Sequence, residues 1–233
     1  MRVMGVGAHP DDLEILCGGT LARYSQQGHA VTMVALTNGD KGSESLPPER
    51  IAALRAEEMT RAAAVIGAQA WCMGVPDEFL NDDLETRMAL VDVIRRFRPD
   101  VIITHDPADC HIDHQKAASL VFAAVSVSYV PAVKTQHPVH PVFMPVYYME
   151  TLLGLGFTPE AFVDITETFA VKKQMLLKHE SQLGMMSARI GTDLVELIEV
   201  TARFRGLQAG VRYAEAFRPL RVGLRTSAER LLP

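Results

Sequence analysis

Apolar residues are arranged along this chain in two alternating patterns. Residues 2–8, 29–37, 70–73 and 101–104 are short, mostly apolar runs rich in Val, Ile, Met and Ala, without a polar residue at every second position. Such runs predict strands buried on both faces, as in a parallel sheet covered by helices. Between them the apolar spacing widens to three and four. Leu13, Leu16, Leu21 and Tyr24 recur at helical intervals through residues 11–27, which Gly28 closes. Residues 49–66 follow Pro47 and Pro48 and stop at Gly67. Residues 84–97 end in basic side chains ahead of Pro99, and residues 111–128 follow a polar loop. The resulting order, β-α-β-α-β-α-β-α, predicts an α/β fold: a Rossmann-like, mainly parallel sheet with helices on both faces.

The second half is less regular. Residues 131–145 hold four prolines and predict a loop. Residues 146–149 and 162–165 are further strand candidates, and 166–179 and 192–204 have helical spacing. Residues 218–233, with four Arg and one Glu, are expected to form a solvated tail or a subunit contact. Nothing repeats and no linker interrupts the chain, so residues 1–233 are expected to form one domain.

Composition narrows the function classes. Hydrophobic residues make up 48% and charged residues 22%, with a net charge of −5, so the chain is globular and a poor match for nucleic acid or an anionic membrane surface. The odd cysteine count (Cys17, Cys72, Cys110) has no paired spacing, which excludes a disulfide framework and a Cys-rich zinc site. With no apolar run near the roughly 20 residues of a membrane span, a cytoplasmic location is expected. Eight His against three Cys mean that any bound metal is held by imidazoles and carboxylates.

Two segments carry the densest chemistry: Ala8-His9-Pro10-Asp11-Asp12-Leu13-Glu14 after the first strand, and Asp109-Cys110-His111-Ile112-Asp113-His114 after the fourth. Open α/β sheets bind ligands beyond the carboxyl ends of their strands, so the site is expected at that edge. His9 and Asp12 are three apart, as are His111 and His114, and such pairs share a helix face. Three N/O donors with one open position are the pattern of a catalytic zinc site. Asp11, beside a donor but pointing elsewhere, suits a general base. Surface pairs, or capping by Asp11 and Asp12, would explain either segment alone. The residues by themselves do not choose between His111 and His114. Gly5, Gly7, Gly18 and Gly19 do not make a dinucleotide fingerprint: the third glycine is missing and carboxylates stand where a pyrophosphate would lie.

The segment 8–14 and the His-x-Asp-His segment 111–114 resemble the LmbE/PIG-L family of zinc-dependent N-deacetylases. Leu54-Arg55-Ala56-Glu57-Glu58, with Ala62 and Gly67, is similar to a helix of that family, and Glu180-Ser181-Gln182 and 213–217 are similar to segments of its bacillithiol-pathway branch. The resemblance implies that His9, Asp12 and His114 ligate Zn2+, with Fe2+ as the alternative ion. It makes Asp11 the general base and His111 the general acid or oxyanion stabiliser, with Asp113 fixing its tautomer and raising its pKa. Arg55 would pair with substrate or with the carboxylates. The implied reaction is hydrolysis of the N-acetyl group of an N-acetylglucosamine-type sugar or glycoconjugate, with N-acetylglucosaminyl malate the leading candidate. It also implies a homo-oligomer, up to a hexamer. Cys110 and Ile112 depart from the family pattern and bear on the substrate. His105 is read as a supporting or structural group, His137 and His140 as loop residues, and Tyr213 and Glu215 as packing and a subunit contact. Two rival classes are a metal-dependent hydrolase of another amide, carbamoyl or ester substrate, and a non-catalytic metal- or nucleotide-binding module.

Overall fold

The computed structural model describes residues 1–223 and 231–233, with the backbone alone at 186–190. Seven strands form one sheet in the order β3-β2-β1-β4-β5-β7-β6. They are β1 (Arg2–Gly7), β2 (Ala30–Thr37), β3 (Gln69–Val75), β4 (Val101–Thr104), β5 (Val146–Met149), β6 (Ala161–Asp164) and β7 (Ala214–Pro219). The first five run parallel, and β7 pairs antiparallel with both β5 and β6. The α-helices among the described residues are α1 (Asp12–Gln26), α2 (Pro48–Val65), α3 (Leu84–Phe97), α4 (Ile112–Ser128), α5 (Phe169–Leu176), α6 (Glu180–Ile190) and α7 (Leu194–Ala209). No helix among the described residues is long and apolar enough to cross a membrane.

β1, β2 and β4 are buried on both faces, which explains why they do not alternate. Val3, Met33 and Ile103 pack with Leu21 of α1, Met59 of α2 and Ile198 of α7. Met4, Val34 and Ile102 point the other way, against Leu90 and Ile94 of α3 and Leu120 of α4. The first four strands and first four helices match the hydrophobic pattern, with no end shifted by more than two residues. The helix expected over 166–179 is shorter, the one over 192–204 is longer, and α6 was not expected. β7 was not expected either. It has no apolar run because Glu215 and Arg218 are inward polar residues with dedicated partners.

One of those partners is α1. Its backbone breaks from helical geometry at Cys17 (φ −142°) and restarts. The restarted turn exposes the N–H groups of Gly19 and Thr20, which donate to the two carboxylate oxygens of Glu215 at 3.0 and 2.7 Å. Lys172 of α5 donates to the same carboxylate and neutralises it. Only glycine fits at 19, since a Cβ there would lie 2.8 Å from Ile165. Glu215, 4% exposed, is therefore an internal cap, so the expected subunit contact is corrected. Tyr213 is buried, stacks on Phe169 and donates to Glu199. In the expected tail, Arg218 pairs with buried Asp106 and Arg221 with Glu160, while Arg225 and Arg230 lie outside the described residues.

Candidate metal and catalytic site

The carboxyl ends of the parallel strands surround one cavity of about 200 Å3. β1 leads into His9, Asp11 and Asp12, β2 into Lys41 and Gly42, and β3 into Asp77 and Glu78. β4 leads into His111 and His114, and β5 into Leu152. Ile15 and Leu16 of α1, Arg55 of α2, and Gln182 and Met185 of α6 complete the wall. β1 and β4 are adjacent, which brings the two motif segments together.

His9 Nδ1 lies 3.3 Å from Asp12 Oδ2, and His114 Nε2 lies 3.3 Å from Asp12 Oδ1. The far nitrogen of each ring faces a carboxylate. His9 Nε2 is 2.9 Å from Asp77 and 3.4 Å from Asp113, and His114 Nδ1 is 3.0 Å from Asp109. Metal-ligating imidazoles are held this way, the outer N–H given to a carboxylate and the inner lone pair left for an ion. Among the described residues, three sets each bring three donor atoms within 4.8 Å: His9/His111/His114, Asp12/His105/His114 and His9/Asp77/Asp113. The trio implied by the resemblance draws one or more members from each set. His105 Nε2 lies 2.9 Å from Asp12 Oδ2 and, with its hydrogen on that nitrogen, donates to it and braces Asp12 from behind.

The charges of the site fit a dication. Burial lowers the His9 pKa, but Asp12, Asp113 and Asp77 outweigh it and hold the ring well above the ordinary value. Burial opposes protonation of His114 too, and Asp12 and Asp109 raise it to about 9. Burial together with the His114 charge drives His105 down to about 4. Asp12 is pushed up by burial but held well below the carboxylate range by His114, His105 and His9. The metal-free pocket therefore holds two imidazolium protons between carboxylates, where one divalent ion could replace them. The N/O donor set suits a transition metal ion.

Asp11 lines the same cavity. It caps α1 at φ 139° and makes no side-chain capping bond, a strained arrangement for a residue with a Cβ. Its carboxylate instead meets Arg55 Nη2 at 3.1 Å. Burial raises its pKa, Arg55 opposes this, and Asp12 adds to it. Arg55, 3% exposed, is fixed by the carbonyls of Pro10 and Gly39 at 3.0 and 3.3 Å. Gly39 permits the approach, since a Cβ there would lie 2.5 Å from the guanidinium.

The expected link between Asp113 and His111 is corrected. The Asp113 carboxylate turns to His9 and to the N–H of Glu78, 2.9 Å away. Its backbone N–H, not its carboxylate, meets His111, donating to Nδ1 at 3.2 Å. That bond leaves the His111 hydrogen on Nε2, toward the cavity. Burial, then the charges of His9 and His114, hold the His111 pKa below its ordinary value, where the resemblance implied a raised one.

Sequence reasoning missed Asp77, Glu78 and Lys41, although all three follow strands at the edge where the site was expected. It also missed His179, buried behind Asp11 with Nε2 3.1 Å from Glu14. His137 pairs with Asp92, and buried His140 faces the Pro99 carbonyl, so neither reaches the cavity. Cys110 is exposed and Cys17 buried, and neither lines it.

The profile of the GlcNAc-PI de-N-acetylase (PIG-L) family matches residues 4–125, just over half of the chain. Diacetylchitobiose deacetylase of Thermococcus kodakarensis is 30% identical over 231 residues, covering 93% of this chain and 82% of that protein. The 4-oxalmesaconate hydratase of Pseudomonas putida is 27% identical over 177 residues, 72% of this chain and 68% of that one. The solved N,N'-diacetylchitobiose deacetylase from Pyrococcus horikoshii superposes with a TM-score of 0.83 at 27% identity, covering 94% of this chain and 83% of that one. With its motif residues gathered in one cavity and this family profile running from β1 through most of α4, the chain belongs to the PIG-L family of N-deacetylases.

Proposed function

We propose that this chain hydrolyses the N-acetyl group of an N-acetylglucosamine-type sugar or glycoconjugate, releasing acetate and a free amine. His9, Asp12 and His114 would hold a divalent ion, zinc by preference and iron(II) as the alternative. That ion supplies Lewis-acid polarisation of the amide carbonyl and activation of water. Asp11 accepts the proton of the attacking water. Its raised pKa suits it to keep that proton and then pass it to the departing amine. Neutral His111 donates from Nε2 to the developing oxyanion, a contact whose removal costs about 3 kcal/mol in other hydrolases. This favours the stabiliser role over the general-acid role. Arg55 keeps Asp11 ionised and oriented. The observation that carries the reading is Asp11 itself: a buried carboxylate, strained in its backbone and held by an arginine, beside the metal donors without being one of them.

Asp11→Asn tests it directly. Acetate release from N-acetylglucosamine glycosides should fall by at least about 100-fold with bound metal unchanged. His114→Ala should empty the metal site far more than His111→Ala. Full activity in Asp11→Asn, or equal metal loss in the two histidine variants, would remove these assignments.

A further inference from the structure

Glu78 adopts a backbone conformation that favours glycine. Its φ is +67°, and its N–H is held by the carboxylates of Asp77, at 3.0 Å, and Asp113, at 2.9 Å. A non-glycine residue there carries strain that a glycine would relieve, and strain of this kind gathers at functional sites. The side chain does not repay it through packing. Glu78 lines the cavity with its side chain 52% exposed, and His111 Nε2 lies 3.7 Å from its carboxylate, beyond hydrogen-bond reach. The two cations of the cavity wall are both engaged: Lys41 with Asp40 at 2.6 Å, and Arg55 with Asp11. The deep carboxylates are balanced by imidazoles or by the ion the site would hold. Glu78 therefore stands as an unneutralised acceptor at the mouth, next to exposed Phe79.

We infer that Glu78 is a specificity-determining residue: it accepts hydrogen bonds from hydroxyls of the sugar or its aglycone and disfavours substrates with an anionic aglycone. This rests on the deacetylase reading and sharpens its substrate class. A carboxylate binds vicinal hydroxyls well and repels another carboxylate at close range. The neutral or amino-sugar glycoside is then the preferred substrate, and the malyl glycoside implied by the family resemblance is disfavoured.

The test compares the methyl and malyl glycosides of N-acetylglucosamine with wild type, Glu78→Gln and Glu78→Gly, all metal-loaded. Wild type should favour the methyl glycoside in kcat/KM by about tenfold. Glu78→Gln should bring that ratio toward one by improving the malyl substrate. Glu78→Gly should raise KM for the methyl glycoside about tenfold, with kcat and metal content little changed. Its Tm should equal or exceed the wild-type value, because the strain is gone. A drop in Tm with proportional loss on both substrates would make Glu78 a structural residue and overturn the proposal. So would a wild type that prefers the malyl glycoside, or a ratio indifferent to Glu78→Gln. A wild type that cleaves neither glycoside removes the deacetylase reading, and this inference with it.

Discussion

Metal loading should exchange protons for the ion, and the number follows from the site. At pH 7 the metal-free pocket holds protons on His9, raised well above its ordinary value, and on His114, raised to about 9. His105, near 4, and His111, held low, are neutral. A ligating nitrogen must lose its proton, so one divalent ion displaces about two. Each proton costs tenfold in apparent affinity per pH unit, so the metal Kd should tighten about 100-fold from pH 6 to pH 7. The same protons stabilise the metal-free fold. A histidine whose folded pKa is raised contributes stability that is complete below its unfolded value of 6.5 and is lost as pH climbs through the folded value. For His114 alone, the gap from 6.5 to about 9 amounts to about 3 kcal/mol. Metal-free protein should therefore weaken between pH 6.5 and 9 while loaded protein does not. Calorimetric titration at pH 7 in buffers of different ionisation heat counts the protons, and urea melts across pH read the stability. Release of one proton or fewer, or metal-free stability flat to pH 9, would refute the charge state and with it the pairing of each ligand histidine with a carboxylate.

Two further outcomes follow from buried contacts. Lys172→Met leaves the Glu215 carboxylate buried without its cation and should cost about 3–5 kcal/mol by chemical denaturation; a loss under 1 kcal/mol would show that the backbone N–H groups suffice. Gly39→Ala places a methyl against the Arg55 guanidinium at a left-handed φ of +65° and should reduce deacetylation more than a change in Tm accounts for; unchanged turnover would separate Arg55 from the chemistry.

The core of the fold was legible because burial on both faces writes itself as unbroken apolar runs, and helices announce themselves through spacing and terminal glycines. The two motif segments were legible because they sit where such strands end. β7 was illegible for a physical reason: Glu215 and Arg218 are inward residues whose partners, the N–H groups of Gly19 and Thr20 and the Asp106 carboxylate, lie about 100 to 200 positions away. Direction was equally hidden. Spacing alone could place Asp113 beside His111, yet a helix start turns its carboxylate toward His9 and leaves only its N–H for His111. Glu78 carries its signal in φ, which no pattern of side chains reveals.

The position of β7 bears on how the chain is made. Among the described strands it is made after all the others, yet it lies inside the sheet, between two strands made earlier. Until it arrives, β6 has no partner in the sheet, β5 presents an open edge, and the break in α1 lacks its cap. Nascent chains halted at this stage carry both motif segments together with an unpaired strand edge, the feature that promotes self-association. Completion is also a long-range event, which slows folding relative to local pairing. Slow translation through β7, or a chaperone that shields strand edges, should raise the yield of active protein more than slow translation anywhere earlier.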